Sequence, residues 1–599
     1  MTNKMLAGWK AVLIPAAAML FLALLPQIAL WLSGQGPWNG SYFVSNYDEP
    51  AYSAYVNALI RGEPRRNDPF VGLADNPKTP QPETLYSIQF IPPYVIAIPA
   101  RLLGLNASTA FILLSAFIAV FSVLAIYKLL IDVTGDRLVS AIGPLVILCL
   151  GTAAALQGEL RYLLDGRVLT DFLPFLRRYQ PGLAFPLFFV FCLLAWKAVR
   201  SASLMGAARS AAGAGGVFAV FVFSYFYLWT AAAAWLACFA GASILFERSR
   251  LKNVITALAV IGIMAITALV PYFYMLANRS ADMDSVQLLT YTRLPDLVSP
   301  SMWIGIVVIA TALFLLRDQG SRSAGRLPLI LSLAVTPVIL FNQQVLTGRS
   351  LQPVHYELFI GNYLVLTAAV LTMAAWRAAD GVEGISTARF QRGLVYLGIA
   401  AFAWGLFESY GSTTRNFTPA VIRDASVPAI LAAAHDTEKP VILATNFITA
   451  DFIPSVGTAR PLWNPHTSSA GGVGIEENKR LFHLYLYFSG YSEKDLDAAL
   501  TEGSFEVTSA VFGAERALPL LGGDSRPITS EEIRAEIASF AQLTRSIVSQ
   551  NAYSPVVDHI IVPAEAEPDF TNLDRWYTRG EGQTFGLFRI YRLAPKPTQ

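Results

Sequence analysis

About eleven mostly apolar stretches, most of them near the roughly 17–25 residues that span a bilayer, run through the first two thirds of this chain. They lie near 11–32, 108–131, 138–157, 182–199, 213–226, 228–246, 253–276, 301–316, 327–341, 358–376 and 393–408. Such runs leave few folds open. A backbone inside hydrocarbon must satisfy every N–H and C=O within itself, as a helix does. Composition agrees: 54% of the 599 residues are hydrophobic and 14% are charged, against about 25% charged in soluble domains. The formal net charge of +2 supplies no bulk attraction to nucleic acid, so no nucleic-acid partner is expected. The three cysteines, Cys149, Cys192 and Cys238, all sit in apolar runs. Neither disulfides nor a thiolate metal site is expected.

Lys4 and Lys10 precede the first run, which reads as a retained signal-anchor helix. The stretch 213–246 is too long for one span and short for two, and "SYFYLWT" in its middle reads as a tight aromatic turn. Splitting it there keeps Lys and Arg residues such as Lys128, Arg200, Arg250 and Arg326 on one side of the membrane. The positive-inside rule makes that side, and the N-terminus, cytoplasmic. An odd helix count then places the C-terminus outside, together with the long loops 33–107, 158–181, 277–300 and 342–357. Function concentrates in long polar loops. From about Tyr410 the composition changes. "KPVILATNFI" and "VVDHIIVP" read as buried strands, "FGLFRIYRL" as an alternating one. "SEKDLDAALTEG" and "SEEIRAEIASFAQLTRSIVSQ" read as helices, each with serine at its N-cap. The expected fold is a polytopic α-helical membrane domain (1–408) followed by an extracytoplasmic α/β domain (409–599).

The first outside loop holds "NYDEPAYSAYVNALIRGE", residues 46–63. Tyr52, Tyr55, Val56, Leu59 and Ile60 share one helical face, which predicts an amphipathic helix lying at the membrane surface. Asp48 has two readings. It is a preferred N-cap residue ahead of Pro50. It is also a carboxylate at the membrane surface beside Glu49, placed to act as a general base.

An outside first loop opening on "DE", with that helix behind it, resembles the GT-C superfamily of integral membrane glycosyltransferases. Within it, the aminoarabinose transferases and protein O-mannosyltransferases are the similar branches. The "WWDYG" signature of the oligosaccharyltransferase branch is absent. The resemblance implies a polyprenyl-phosphate-linked sugar donor, inverting transfer outside the cytoplasm, and Asp48 as the catalytic acid–base residue with Glu49 assisting. A leaving lipid phosphate needs Arg or Lys nearby.

Two further loops supply candidates. "QGELRYLLDGRVLTDFLPFLRRYQPG" carries Arg177 and Arg178 just before a span, where they either contact the donor phosphate or snorkel to lipid headgroups. Asp165 and Asp171 in the same loop are candidates for binding or for a divalent metal. Metal dependence varies within the resembled family, and no other cofactor is implied. "FNQQVLTGRSLQPVHYELFIGNY" crowds Gln344, Arg349, Gln352 and His355 into a short connector. Arg349 and His355 are taken as donor-phosphate contacts and Gln344 and Gln352 as further binding residues, although a lone histidine there is also consistent with a structural hydrogen bond. "RPLWNPHTSSAGGVG" offers Trp463 and His466 either to the site or to an ordinary turn. No P-loop is present.

The partners expected are the bilayer, a polyprenyl-phosphate sugar and an acceptor of unassigned class. A transporter or flippase for a lipid-linked or polar substrate is the alternative. Coupled transporters keep ionisable groups near the bilayer midplane, whereas these spans are almost free of charge. The many alanines and the lack of outside cysteines suit a bacterial inner membrane.

Overall fold

Every one of the eleven apolar stretches is helical in the computed structural model, which describes residues 3–34, 36–168, 170, 173–316, 325–378, 387–436, 438–518 and 526–597. The helices of the first part are α1 (Asn3–Trp31), α2 (Glu49–Arg61), α3 (Ile91–Leu103), α4 (Ala107–Thr134), α5 (Arg137–Cys149), α6 (Phe185–Arg200) and α7 (Leu204–Val222). They continue with α8 (Phe226–Phe246), α9 (Leu251–Ala277), α10 (Pro300–Leu316), α11 (Leu327–Thr347), α12 (Asn362–Ala378) and α13 (Thr387–Asp436). Among the described residues eight segments are long and apolar enough to cross a membrane, which makes this a multi-pass membrane protein. Of the other three, α5 has 13 residues, α6 has 16 and α10 has 17. At 1.5 Å per residue α5 covers only about 20 Å of a core about 30 Å thick. It was expected to reach residue 157 and stops at Cys149. There the chain breaks step at Leu150, and Gly151 lies so close to the Tyr363 ring that a Cβ would overlap it. The split inside 213–246 is present: α7 ends at Val222 and α8 starts after Tyr225.

The long loops gather at one end of the bundle. Glu83 bridges to Arg279. A two-stranded ribbon, β1 (Leu289–Tyr291) with β2 (Arg349–Leu351), ties loop 277–300 to loop 342–357. Short basic turns gather at the other end, where Lys128 and Lys197 both meet Asp132 and Arg326 donates to Val133 O.

The surface position expected for α2 is overturned. Every residue from Glu49 to Leu59 is buried. Its apolar face packs into the bundle, and its polar face meets the C-terminal domain rather than water. Asn57 Nδ2 donates to Pro454 O at 2.8 Å and Gly457 O at 3.0 Å, and the Ser53 and Ser455 hydroxyls lie 2.5 Å apart. The amphipathic period was real; what covers the polar side is protein.

α13 is 50 residues long, about 75 Å. It carries the chain into the C-terminal domain without a linker, so the 408/409 boundary falls inside one helix. That domain adds α14 (Phe447–Val456), α15 (Ile475–Phe488), α16 (Glu493–Glu502), α17 (Phe505–Phe512) and α18 (Ser530–Ser546). Its strands are β3 (Val441–Ala444), β4 (Arg460–Pro461), β5 (His559–Pro563), β6 (Tyr577–Arg579), β7 (Gln583–Phe585) and β8 (Phe588–Pro595). The sheet order is β4-β3-β5-β8-β6, with β7 pairing β8. β3 is parallel to β5, with Ile442 opposite His559, and β5 is antiparallel to β8, with Ile561 opposite Ile590. β3 is buried along its whole length, as its unbroken apolar run predicts. Ser492 caps α16 with a capping box to Asp495. In α18 the cap is Thr529, one residue earlier than expected, because Glu532 sits three residues on and completes its box.

Asp424, on α13, fastens the chain leaving α1. Its carboxylate accepts from Asn39 N (2.9 Å), Asn39 Nδ2 (3.1 Å), Ser41 N (3.1 Å) and Ser41 Oγ (2.8 Å). Losing it strands several buried donors, and hydrogen bonds to charged groups contribute about 1.5–3 kcal/mol each. Asp424→Ala is therefore expected to lower stability by at least about 2 kcal/mol. Thermal unfolding of the solubilised protein measures it.

Candidate functional site

The two adjacent carboxylates and the two adjacent arginines find each other. Glu49 is 1% exposed and serves as an anchor. Its Oε1 accepts from Arg178 N at 3.0 Å, and its Oε2 accepts from Ser45 N at 2.9 Å and Arg178 Nη1 at 2.8 Å. Arg178 also donates from Nε to Ser115 Oγ (2.5 Å) and from Nη1 to Phe43 O (2.8 Å). This arginine is buried in protein and does not reach lipid headgroups.

Asp48 and Arg177 form the second pair, at 2.5 Å, and it differs in one respect: the arginine side chain is 4% exposed and the aspartate 41%. Arg177 donates from Nε to Gln180 O (2.5 Å) and from Nη2 to Tyr225 Oη (3.1 Å). Tyr225 Oη lies 3.1 Å from His355 Nδ1. A polar chain thus runs inward from an open carboxylate: Asp48, Arg177, Tyr225, His355. The guanidinium stacks over Phe359, 4.5 Å from the ring centre. Asp48 begins α2 but makes no side-chain cap bond, so the capping role is not realised. Its Oδ2 is taken by Arg177, with Tyr52 Oη at 3.5 Å.

Local backbone shape makes this possible. After Arg177 the chain doubles back, and Gly182 N returns to Arg177 O at 3.0 Å. A Cβ at Gly182 would come within 2.6 Å of that same oxygen, so only glycine closes the turn. Tyr179 takes φ +76°, a costly position for a bulky residue. Its ring stacks flat on Tyr52, 4.6 Å between centres.

Asp48, Glu49, Arg177, Arg178 and His355 therefore come together. The hydrogen bonds and ion pairs of Arg349, Gln344, Gln352 and Asp165 do not reach that chain among the described residues. Arg349 is exposed and stacks on Tyr291. Gln344 Nε2 donates to Leu294 O (3.1 Å) and Phe341 O (2.7 Å), and Gln352 Nε2 to Gln287 O (3.0 Å). Both hold loop 277–300 against its neighbour. Asp165 lies 3.4 Å from Arg161 and 3.8 Å from Arg167. Asp171 lies outside the described residues. Sequence reasoning missed Tyr225 and Tyr52. The signal for Tyr225 was the aromatic turn "SYFYLWT", read only as a helix break.

The C-terminal domain closes the other side of Asp48. His466 Nδ1 is 2.6 Å from Asp451 Oδ1, and its ring packs on Tyr47 at 4.5 Å. Its Nε2 is buried without a hydrogen-bond partner among the described residues. Burial disfavours a charged ring here. The Asp451 carboxylate outweighs it, with Asp48 adding, and His466 titrates above its ordinary value. Beside this pair is a cavity of about 380 Å³ whose walls include Asn46, Tyr47, Arg423, Asp451 and Glu506. Among the described residues no three His, Cys, Asp or Glu side chains gather as a metal-ligand set.

Two predictions follow from the difference between the pairs and from His466. Removing one partner of a buried ion pair costs about 3–5 kcal/mol, so Glu49→Gln is expected to lower stability by about that much. Asp48→Asn also leaves a buried arginine without its counter-charge, but the open aspartate edge admits water to the pair, so a smaller loss is expected. Denaturation of the two purified variants compares them. A histidine raised by folding stabilises fully below its unfolded value of about 6.5 and stops doing so as pH rises through its folded value. The stability difference between wild type and His466→Asn is therefore expected to be largest near pH 6 and to shrink towards pH 9, read from unfolding temperatures across that range.

No protein-family model matches the chain, and no curated protein matches it. Among solved structures it is similar to ArnT from Cupriavidus metallidurans. Against the apo form the identity is 11% and the TM-score 0.44, and against the form bound to undecaprenyl phosphate they are 10% and 0.42. Both alignments cover 96% of this chain and 97% of that one. It is also similar to the Archaeoglobus fulgidus oligosaccharyltransferase tethered to an acceptor peptide, with 13% identity, a TM-score of 0.43 and coverage of 97% of this chain and 74% of that one. Both neighbours are GT-C glycosyltransferases, the superfamily that the acidic-pair loop resembles. At this level of similarity the neighbours carry no argument about chemistry, which rests on the residues themselves.

Proposed function

We propose that the chain is a GT-C-type glycosyltransferase. It moves a sugar from a polyprenyl-phosphate donor to an acceptor hydroxyl, with inversion, at the bundle end that carries the C-terminal domain. The observation that carries this reading is Asp48, a carboxylate open to solvent yet held in aim by a buried arginine.

In the proposed step the acceptor oxygen bonds to the anomeric carbon as the bond from that carbon to the donor phosphate oxygen breaks. The acceptor proton passes to Asp48, and the lipid phosphate leaves as an anion. A base must stand within hydrogen-bond reach of the proton it takes, and the exposed edge of Asp48 offers that. Arg177 has N–H groups beyond those used by Gln180, Asp48 and Tyr225. A phosphate drawing on them shares the guanidinium with Asp48. Burial holds the Tyr225 hydroxyl above the ordinary tyrosine range despite the opposing pull of Arg177. It stays an O–H donor, fixed between Arg177 and His355. Glu49 and Arg178 hold the frame, and Arg349 is left at the rim.

Asp165 pairs with Arg161 and Arg167 among the described residues. The short basic turns are assigned to the cytoplasm and the site to the extracytoplasmic side of a bacterial inner membrane.

Sugar transfer from labelled polyprenyl-phosphate sugars, in membranes holding equal amounts of each protein, tests the reading. A positioned general base contributes about 10²–10⁴-fold. Asp48→Asn is expected to lose about 100-fold or more, and Tyr225→Phe about tenfold. Transfer that survives Asp48→Asn unchanged removes Asp48 as the base. A wild type that moves lipid-linked sugar across vesicles without transferring it favours the transporter.

A further inference from the structure

The cavity of about 380 Å³ is lined by the loop before α2, by α13 and by the C-terminal domain. Its charges do not balance through contact. Asp451 is engaged by His466 Nδ1 at 2.6 Å and by Asn464 Nδ2 at 3.3 Å. Glu506 accepts from Ser504 Oγ at 3.4 Å. Arg423 is left over. It reaches the cavity from α13, its Nε is buried with no hydrogen-bond partner, and its guanidinium forms no ion pair among the described residues. Arg423 as a whole is half-buried, and a cation partly withdrawn from water with no contacting counter-charge is poorly compensated. The fully buried arginines, Arg177 and Arg178, are each matched to a carboxylate.

Resting on the glycosyltransferase reading, we infer that this cavity is the acceptor site and that Arg423 receives an anionic group, a phosphate or carboxylate, carried by a hydroxyl-bearing acceptor about the size of one or two sugar rings. The volume suits such a ligand. Asn46 and Tyr47 form one wall and Asp48 follows them directly, so an acceptor seated on Arg423 presents its hydroxyls along the strip that ends at the base. Glu506, from α17, also lines the cavity and is placed to accept from the other hydroxyls. A guanidinium offers a fork of donors matched to both oxygens of such an anion.

Binding is measured without transfer, so that failure of this inference is separable from failure of the catalytic one. Purified full-length wild type, Arg423→Gln, Arg423→Lys and Asp48→Asn are titrated with glucose 6-phosphate, with glucose as the neutral control. Wild type and Asp48→Asn are expected to bind glucose 6-phosphate at least tenfold more tightly than glucose. Arg423→Gln is expected to lose that preference and Arg423→Lys to keep part of it. Because the guanidinium makes no contact ion pair among the described residues and feels Asp451 and Glu49 only at longer range, Arg423→Gln is expected to unfold close to the wild-type temperature. Equal binding of the two sugars by wild type, or a preference that survives Arg423→Gln, overturns the inference. So does a lowered unfolding temperature of Arg423→Gln, which makes the residue structural. A last arm adds a short-chain polyprenyl phosphate. If it displaces glucose 6-phosphate from wild type, the anion at Arg423 belongs to the donor and the acceptor assignment falls.

Discussion

The buried ion pair between Glu49 and Arg178 is the contact on which the rest of the site depends. Neither side chain has another place to go. Glu49 is enclosed, and Arg178 is spent on Glu49, Ser115 and a backbone carbonyl. The pair joins the start of α2 to the loop before α6 and fixes the register of both segments at once. Because each residue has a like-charged neighbour, that register sets the second pair as well. Once Glu49 meets Arg178, Asp48 is brought against Arg177 one residue away. A single buried contact places an exposed one, which is how a carboxylate can stay accessible to a substrate without being free to wander.

The C-terminal domain belongs to the same construction. The polar face of α2 is sealed by Ser455 and by the carbonyls of Pro454 and Gly457, and α13 enters the domain without a joint. Tyr47 is pressed against His466 from beyond the membrane part. Neither part alone encloses the segment Asn46–Asp48. It is held from below by the arginine loop and from above by the Asp451–His466 pair.

Much of this was legible in the sequence. Apolar runs long enough to span survive as helices because hydrocarbon allows little else. The strands of the C-terminal domain were marked by unbroken apolar runs such as Val441–Ala444. Asp48, Arg177 and His355 stood out because polar groups beside spans are few. What could not be read is pairing across distance. Nothing local in "DEP" or "LRRYQPG" says that one will neutralise the other over 129 positions, so the arginines were set against lipid instead of protein. Periodicity marked the apolar face of α2 but not what covers the other, where Ser53 and Asn57 meet the C-terminal domain. Arg349, Gln344 and Gln352 were singled out by density alone, and that density serves a ribbon and a loop tie.

The charge pattern that misled at sequence level explains the site once it is folded. In a protein with 14% charged residues, a charge near the membrane persists where another group compensates it or where a ligand does. Glu49 and Arg178 compensate each other completely, and their pairing is structural. Asp48 and Arg177 compensate each other on one edge only, which leaves the other edge of the carboxylate open to solvent. Arg423 has no contacting counter-charge among the described residues. Ordered this way, from closed to half open to open, the three arginines lead from the frame, through the exposed carboxylate, to the cavity beside it. That gradation, more than the number of charged residues in any loop, is the physical argument for where a substrate belongs.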